Sequence, residues 1–472
     1  NNLQVITNNG TLKGTSGSVL VPSLIGLTGM AIEARNGGAG TTTITNSGTI
    51  SGRPLIGITG LADADIPVVA VAGGKVVMSN SGTITGRISF AASATGNTFT
   101  NIGTLTGSLS MGSAAGVNRF NAITGSSVVK GSGTAATLAI QGQSANFAAA
   151  GVVDAGIATN SILALQNAVG GGTGSGGSGN IYSDNFKNFS NLIVDAGTWR
   201  MFGAVLSGTT TTVLKDGVLM LDDGGALGGG TITSSGQGGT LQANATTVTL
   251  NNAIDITGTR LAVSGNNTLR LDGIISGSGS LNKSGTGTLM LNNANNYAST
   301  TLAGGVLQLG GVGALGSGTV TVNSASTLQG AFGITLANNI QLNSGLTLAG
   351  SPALTLNGTV SGGGSLSKSG AGVLTLNGAN NFSGGFNLNA GNVVLASAAS
   401  IGSGTITVTG GSLDPESAVS TLTNNMVLNG ALTLPGRFDL ALSGTLSGNG
   451  SLVKNGTCLL YTSDAADEED SV

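Results

Sequence analysis

The sequence predicts an all-β fold, a right-handed parallel β-helix (β-solenoid) drawn out as an elongated single rod. Three observations predict it. A module returns every 85–87 residues, aliphatic and polar residues alternate within short segments, and turn-forming residues greatly outnumber charged and aromatic ones.

Composition narrows the choice first. Glycine supplies 84 of 472 residues, aromatics 3% and charged residues 7%, against roughly 25% charged residues in an average globular domain. Disorder requires low hydrophobicity or high net charge. Here hydrophobic residues reach 39%, mean hydropathy is +0.31 and the net charge is −3. A compact globule would pack large aromatics at its centre. What remains is a thin aliphatic core with Gly, Asn, Ser and Thr at frequent turns. No run of about 18 apolar residues offers a membrane-spanning helix. Cys458 is the sole cysteine and histidine is absent, so an intrachain disulfide, a cysteine-based metal site and histidine base chemistry are all excluded. The charge implies no particular partner, and nucleic acid is not expected.

The module is clearest at Gly279–Gly285 (GSLNKSG), which returns as Gly364–Gly370 (GSLSKSG) and Gly450–Gly456 (GSLVKNG). Lys283, Lys368 and Lys454 are thereby spaced 85 and 86 apart, and Asn252, Asn339 and Asn425 close Asn-Asn pairs 87 and 86 apart. Gly316–Val322 likewise matches Gly402–Val408. Inside a module Leu289/Leu291, Leu307/Leu309, Val320/Val322, Leu354/Leu356 and Leu374/Leu376 alternate with polar or flexible neighbours, which puts one face of a strand inward. Four coils of about 21 residues would account for one module. One coil cannot bury its own apolar face or satisfy its strand edges, and a second coil about 4.8 Å above does both.

Three regions follow. Residues 1–180 read as an irregular β-helix with inserted loops, marked by Asn-x-Gly-Thr-Ile/Leu-x-Gly at Asn8–Gly14, Asn46–Gly52, Asn80–Gly86 and Asn101–Gly107, with turns at Pro22, Pro54 and Pro67. The Gly/Ser-rich segment 170–179 is expected to loop out of the rod. Residues 181–457 carry the regular modules of about 86 residues. Residues 458–472 break the pattern, with five acids and no glycine. Cys458–Glu468 (CLLYTSDAADE) resembles a translated sequencing adapter and is read as a non-native tail. The third module stops at Thr457, where glycine is expected by analogy with Gly287 and Gly372. Both ends of the chain, Asn1 without an initiator Met included, are therefore expected to be cut.

Candidate chemistry is sparse. Parallel β-helices also host polysaccharide lyases and glycosidases, which work with clustered carboxylates. Asp222-Asp223 is the one adjacent pair upstream of the tail. Strand neighbours point to opposite faces and Gly224-Gly225 follows, so a turn is expected there. Asp63 and Asp65 share a face but adjoin Pro67 in an expected loop. Lys283, Lys368 and Lys454 are expected about four coils, roughly 19 Å, apart, too far for one site, and are read as outward lysines for solvation and edge protection. The Asn-Asn pairs are read as ladders at corners, and Thr209–Thr212 as strand formers. No catalytic, cofactor-binding or metal-binding residue is assigned, and no cofactor is expected.

Gly277–Leu309 (GSGSLNKSGTGTLMLNNANNYASTTLAGGVLQL) and Gly362–Leu395 (GGGSLSKSGAGVLTLNGANNFSGGFNLNAGNVVL) resemble the autotransporter-associated β-strand repeat. They share its Leu-x-Lys-x-Gly lead, its Gly-x-Leu-x-Leu strand and an Asn-x-Tyr/Phe element at Tyr297 and Phe382. The strong resemblance covers about residues 200–457. It implies export, passage through a C-terminal outer-membrane β-barrel absent from this stretch, and display at the surface of a Gram-negative bacterium. On that basis the chain is expected to be a non-enzymatic passenger, an adhesin for host cells, matrix or glycans, or a spacer. The alternative is a carbohydrate-active β-helix enzyme.

Overall fold

The computed structural model describes residues 3–13, 30–36, 40–52, 66–112, 115–129, 136–140, 143–147, 151–157, 160–168, 177–203, 206, 211–416, 420–436, 438–457 and 459–462. Its strands are short and pair in parallel, except that Ala136–Ile140 and Gln143–Phe147 form an antiparallel pair. The one described helical segment is a single 3-10 turn, Ala398–Ile401. No described helix is long and apolar enough to cross a membrane. The chain divides into two compact units, Asn1–Val248 and Thr249–Val472, and each is a parallel β-solenoid.

In the first unit, period-two alternation builds the core directly. Ile44 pairs with Met78, Met78 with Phe99, Phe99 with Phe120, Phe120 with Leu163 and Leu163 with Leu192. All six are fully buried, each contributing roughly 1.5–3 kcal/mol. The Phe99 and Phe120 rings stack at 5.6 Å and 3°. The Asn-x-Gly-Thr motif turns the chain from this sheet into the next. Its aliphatic residues Ile50, Ile84 and Leu105 pair in a second buried column.

The motif asparagines point inward and form a ladder. Asn8 Nδ2 donates to Asn46 Oδ1 (2.7 Å), Asn46 Nδ2 to Asn80 Oδ1 (2.7 Å) and Asn80 Nδ2 to Asn101 Oδ1 (2.9 Å). Asn101 Nδ2 ends the run on the Ser127 carbonyl. Each amide satisfies its neighbour, which is what a buried polar group requires. The motif glycine is needed because turns stack closely here: a Cβ on Gly82 would lie 2.0 Å from the Gly48 carbonyl oxygen.

The second unit has three faces. Ile254–Ile256, Arg260–Ser264 and Thr268–Leu271 make one turn, and Ile275–Gly277, Ser280–Ser284 and Thr288–Leu291 the next. Leu261 pairs with Leu281, Leu269 with Leu289, Leu366 with Phe386 and Phe386 with Ile406, so a turn takes 20 residues. On the first face the position between third- and second-face strands is later taken by Ile334–Leu336, Leu354–Leu356 and Val373–Leu376. On the second it is later taken by Ser420–Leu422 and Leu440–Leu442.

The module is therefore not four coils of 21 residues. It is four turns of about 20 residues plus one face. Lys283 lies on the second face, in Ser280–Ser284, Lys368 on the third, in Leu366–Lys368, and Lys454 on the first, in Leu452–Lys454. Asn252, Asn339 and Asn425 likewise precede strands of the first, second and third faces, beginning at Ile254, Ile340 and Met426. Equivalent residues step around the solenoid with each module and do not form one column.

Candidate functional site

The repeating lysines are the most conspicuous polar residues of the second unit, and two of them point inward. Lys283 is 2% and Lys368 4% exposed. This corrects the outward, solvated placement expected from the sequence. Each lysine follows an inward leucine by two positions, Leu281 and Leu366, and strand alternation carries it inward too. The chain then turns, leaving corner carbonyls without strand partners, and the ammonium group meets them. Lys283 Nζ donates to the carbonyls of Ser284 (2.8 Å), Gly285 (3.1 Å) and Gly304 (3.3 Å). Lys368 Nζ donates to those of Gly370 and Ala390. At Gly305 and Gly391, both with positive φ, a Cβ would lie 2.6 Å from the respective Nζ. Lys454, in the outermost copy, is exposed and bonds Gly456. These lysines tie two turns together at a corner.

Burial pulls the Lys283 pKa down to about 8, from 10.5 for a free side chain, and lowers that of Lys368 as well. Between pH 8 and 10.5 the unfolded chain thus binds more protons at position 283 than the folded chain. The associated stability is fully present above the unfolded value and is lost as pH falls through 8. In thermal melts, wild type is therefore expected to gain stability relative to Lys283→Met as pH rises from 7 to 10. A difference that stays flat with pH would contradict the assignment.

The Asn pairs do lie at corners, but they bond backbone rather than each other. Asn338 Nδ2 donates to the Gly316 and Gly318 carbonyls and Asn424 Nδ2 to those of Gly402 and Gly404, one turn earlier. Asn295 and Asn380 replace a missing strand. Their Oδ1 atoms accept from the amides of Ile275 and Val360, and their Nδ2 atoms donate to the carbonyls of Ala314 and Ser400. The neighbouring Tyr297 and Phe382 fill the core at that break, Tyr297 with its hydroxyl 2.9 Å from Thr300 Oγ1. Burial raises the Tyr297 pKa.

Asp222 and Asp223 diverge. Asp222 receives a bidentate contact from Arg200 (2.8–3.1 Å) and a hydrogen bond from Asn244 Nδ2 (2.6 Å). These bonds raise the Arg200 pKa, and its guanidinium lies 4.1 Å from the Phe202 ring centroid. Asp223 Oδ1 accepts from the Gly225 amide, as expected of a turn. The cluster Arg119, Asp195 and Lys215, with Gln166, forms a second outward ion-pair group. Among the described residues no three His, Cys, Asp or Glu residues gather where a metal could bind. Asp63, Asp65, Thr209, Thr210 and segment 170–176 lie outside the described residues.

Residues 281–309 and 366–395 match the passenger-associated-transport-repeat family. They are the two segments whose buried lysines and strand-replacing asparagines are described above. Both segments carry autotransporter passenger repeats. A stretch of 131 residues is 34% identical to the adhesin BmaC autotransporter of Brucella suis biovar 1 (strain 1330), covering 25% of this chain and 4% of that protein. The chain thus spans a small fraction of this relative's length. No solved structure matches it. Passenger repeats of this kind place the chain at the cell surface or outer membrane of a Gram-negative bacterium.

Proposed function

We propose that this passenger is a surface-displayed adhesin segment whose solenoid turns present outward side chains to host cells, matrix or glycans. The observation that supports it most is the division of labour between faces. Inward positions are consumed by aliphatic columns, asparagine ladders and buried lysines, and the chemistry left for contact lies on outward strand positions and turns. The similarity to an autotransporter adhesin points the same way. On this reading an outer-membrane β-barrel elsewhere in the full protein carries the passenger outward.

Around residues 260–410 the outward strand positions are mostly Ser, Thr, Asn and Gln, which favours spacing over contact for these turns. Adhesion is assigned to the first unit, which also carries the stacked pair Tyr182 and Phe202 with Tyr182 exposed, and spacing to the second. Purified chain is expected to bind cultured epithelial cells or immobilised matrix saturably, and a fragment covering residues 1–248 to compete for that binding. Absence of saturable binding would remove the adhesive role and leave the spacer.

A further inference from the structure

Among the described residues of the first unit, no strand pairing joins Ser127–Val129, which pairs with Thr104–Ser110, to Ser178–Tyr182, which pairs with Thr198–Phe202. A cavity of about 280 Å³ opens between these two strands. Gly179 is required there, because a Cβ would lie 2.2 Å from the Trp199 ring that underlies the strand. The lining combines this aromatic base with Ser126, Ser178 and Asn180 at the rim and, among the described residues, contains no Asp, Glu, Lys or Arg.

Two independent features point to a ligand. Asn185, 6% exposed, lines the cavity and donates from Nδ2 to the Val128 carbonyl, but among the described residues no donor reaches its buried Oδ1. A buried acceptor left unpaired is rare enough to need an explanation. At the cavity edge Tyr182, 44% exposed, stacks on Phe202 at 4.6 Å and 15°. It is the one outward aromatic stack among the described residues. The strand bearing Tyr182 is the last of its sheet.

We propose that this recess binds one ring of a neutral saccharide, a reading that rests on the adhesive role above and names a ligand class and place for it. The volume lies just below the roughly 300–1,000 Å³ of pockets for drug-sized ligands, which suits a single pyranose. A sugar offers hydroxyl donors for Asn185 Oδ1 and the serines, and an apolar C–H face for Tyr182. An uncharged lining neither attracts nor repays the desolvation of a charged ligand.

The test is saturation-transfer NMR and titration of the full chain with the methyl glycosides of glucose, galactose, mannose, N-acetylglucosamine and N-acetylgalactosamine, with N-acetylneuraminic acid as the charged control. At least one neutral glycoside should bind. Tyr182→Ala, which removes an exposed ring, and Ser178→Trp, which fills the rim without removing core packing, should each weaken it about tenfold or more with melting unchanged. The proposal is overturned if no neutral glycoside binds, if both variants bind like wild type, or if only the acidic sugar binds. Cell binding measured alongside separates the two readings. Cell adhesion without glycoside binding defeats the recess alone, and glycoside binding without cell adhesion defeats the adhesive role alone.

Discussion

Leu376→Asp is expected to destabilise the second unit by about 4 kcal/mol or more, since it places an unpaired carboxylate in an aliphatic column. Leu376 is fully buried and pairs with Leu356 one turn before and Leu395 one turn after. No basic group lies in that register to receive a charge. In a solenoid each turn is held mainly by its neighbours, so the damage should be local. Amide hydrogen exchange should show protection collapsing in Leu354–Leu356, Val373–Leu376 and Asn392–Leu395, with Leu3–Asn8 and Thr41–Asn46 unaffected. Uniform protection in the variant would mean that residue 376 does not face the core.

Asn46→Leu should have the next largest effect, about 2–5 kcal/mol, although it makes the residue more hydrophobic. Asn46 is fully buried, accepts from Asn8 and donates to Asn80. Leucine would leave Asn80 Oδ1 without its donor, while Asn8 Nδ2 would keep the Gly10 and Thr49 carbonyls; a stranded buried polar atom costs about 1–3 kcal/mol, and overpacking by the bulkier leucine about 1–3 kcal/mol more. Asn343→Ala is the control. Asn343 makes the same kind of bond to Asn323 at the exposed surface, and its loss should stay within about 0.5 kcal/mol. Chemical denaturation of the two variants decides it; equal effects would show that the ladder contributes no more than surface polarity.

The core was legible because strand alternation has a period of two. Leu289/Leu291, Leu307/Leu309 and Leu374/Leu376 are read from the sequence as inward, and all are buried. The turn length was not legible, because sequence identity reports when a module recurs and not which face it has reached. Four equal coils and four turns plus one face give the same spacing of 85–86. The charge of Lys283 and Lys368 argues for an outward position, whereas alternation from Leu281 and Leu366 points them in. The recess has no signature in the strand pattern. Its signal was an aromatic cluster: Tyr182, Phe186, Phe189, Trp199 and Phe202 fall within 21 positions of a chain only 3% aromatic. Sequence patterning cannot show that a sheet ends at Ser178–Tyr182, since that depends on which strands find partners.

The extra face in every module has an architectural consequence. Tandem duplication of a gene segment normally stamps the same side chains onto one flank, and a uniform flank invites sideways association with a second molecule. Because each copy here is rotated by one face, three copies point in three directions and a fourth would be needed to repeat the first. Lengthening the passenger by whole modules therefore winds its outward chemistry into a shallow spiral stripe, keeping any single flank varied while exposing the same groups to neighbours approaching from any side.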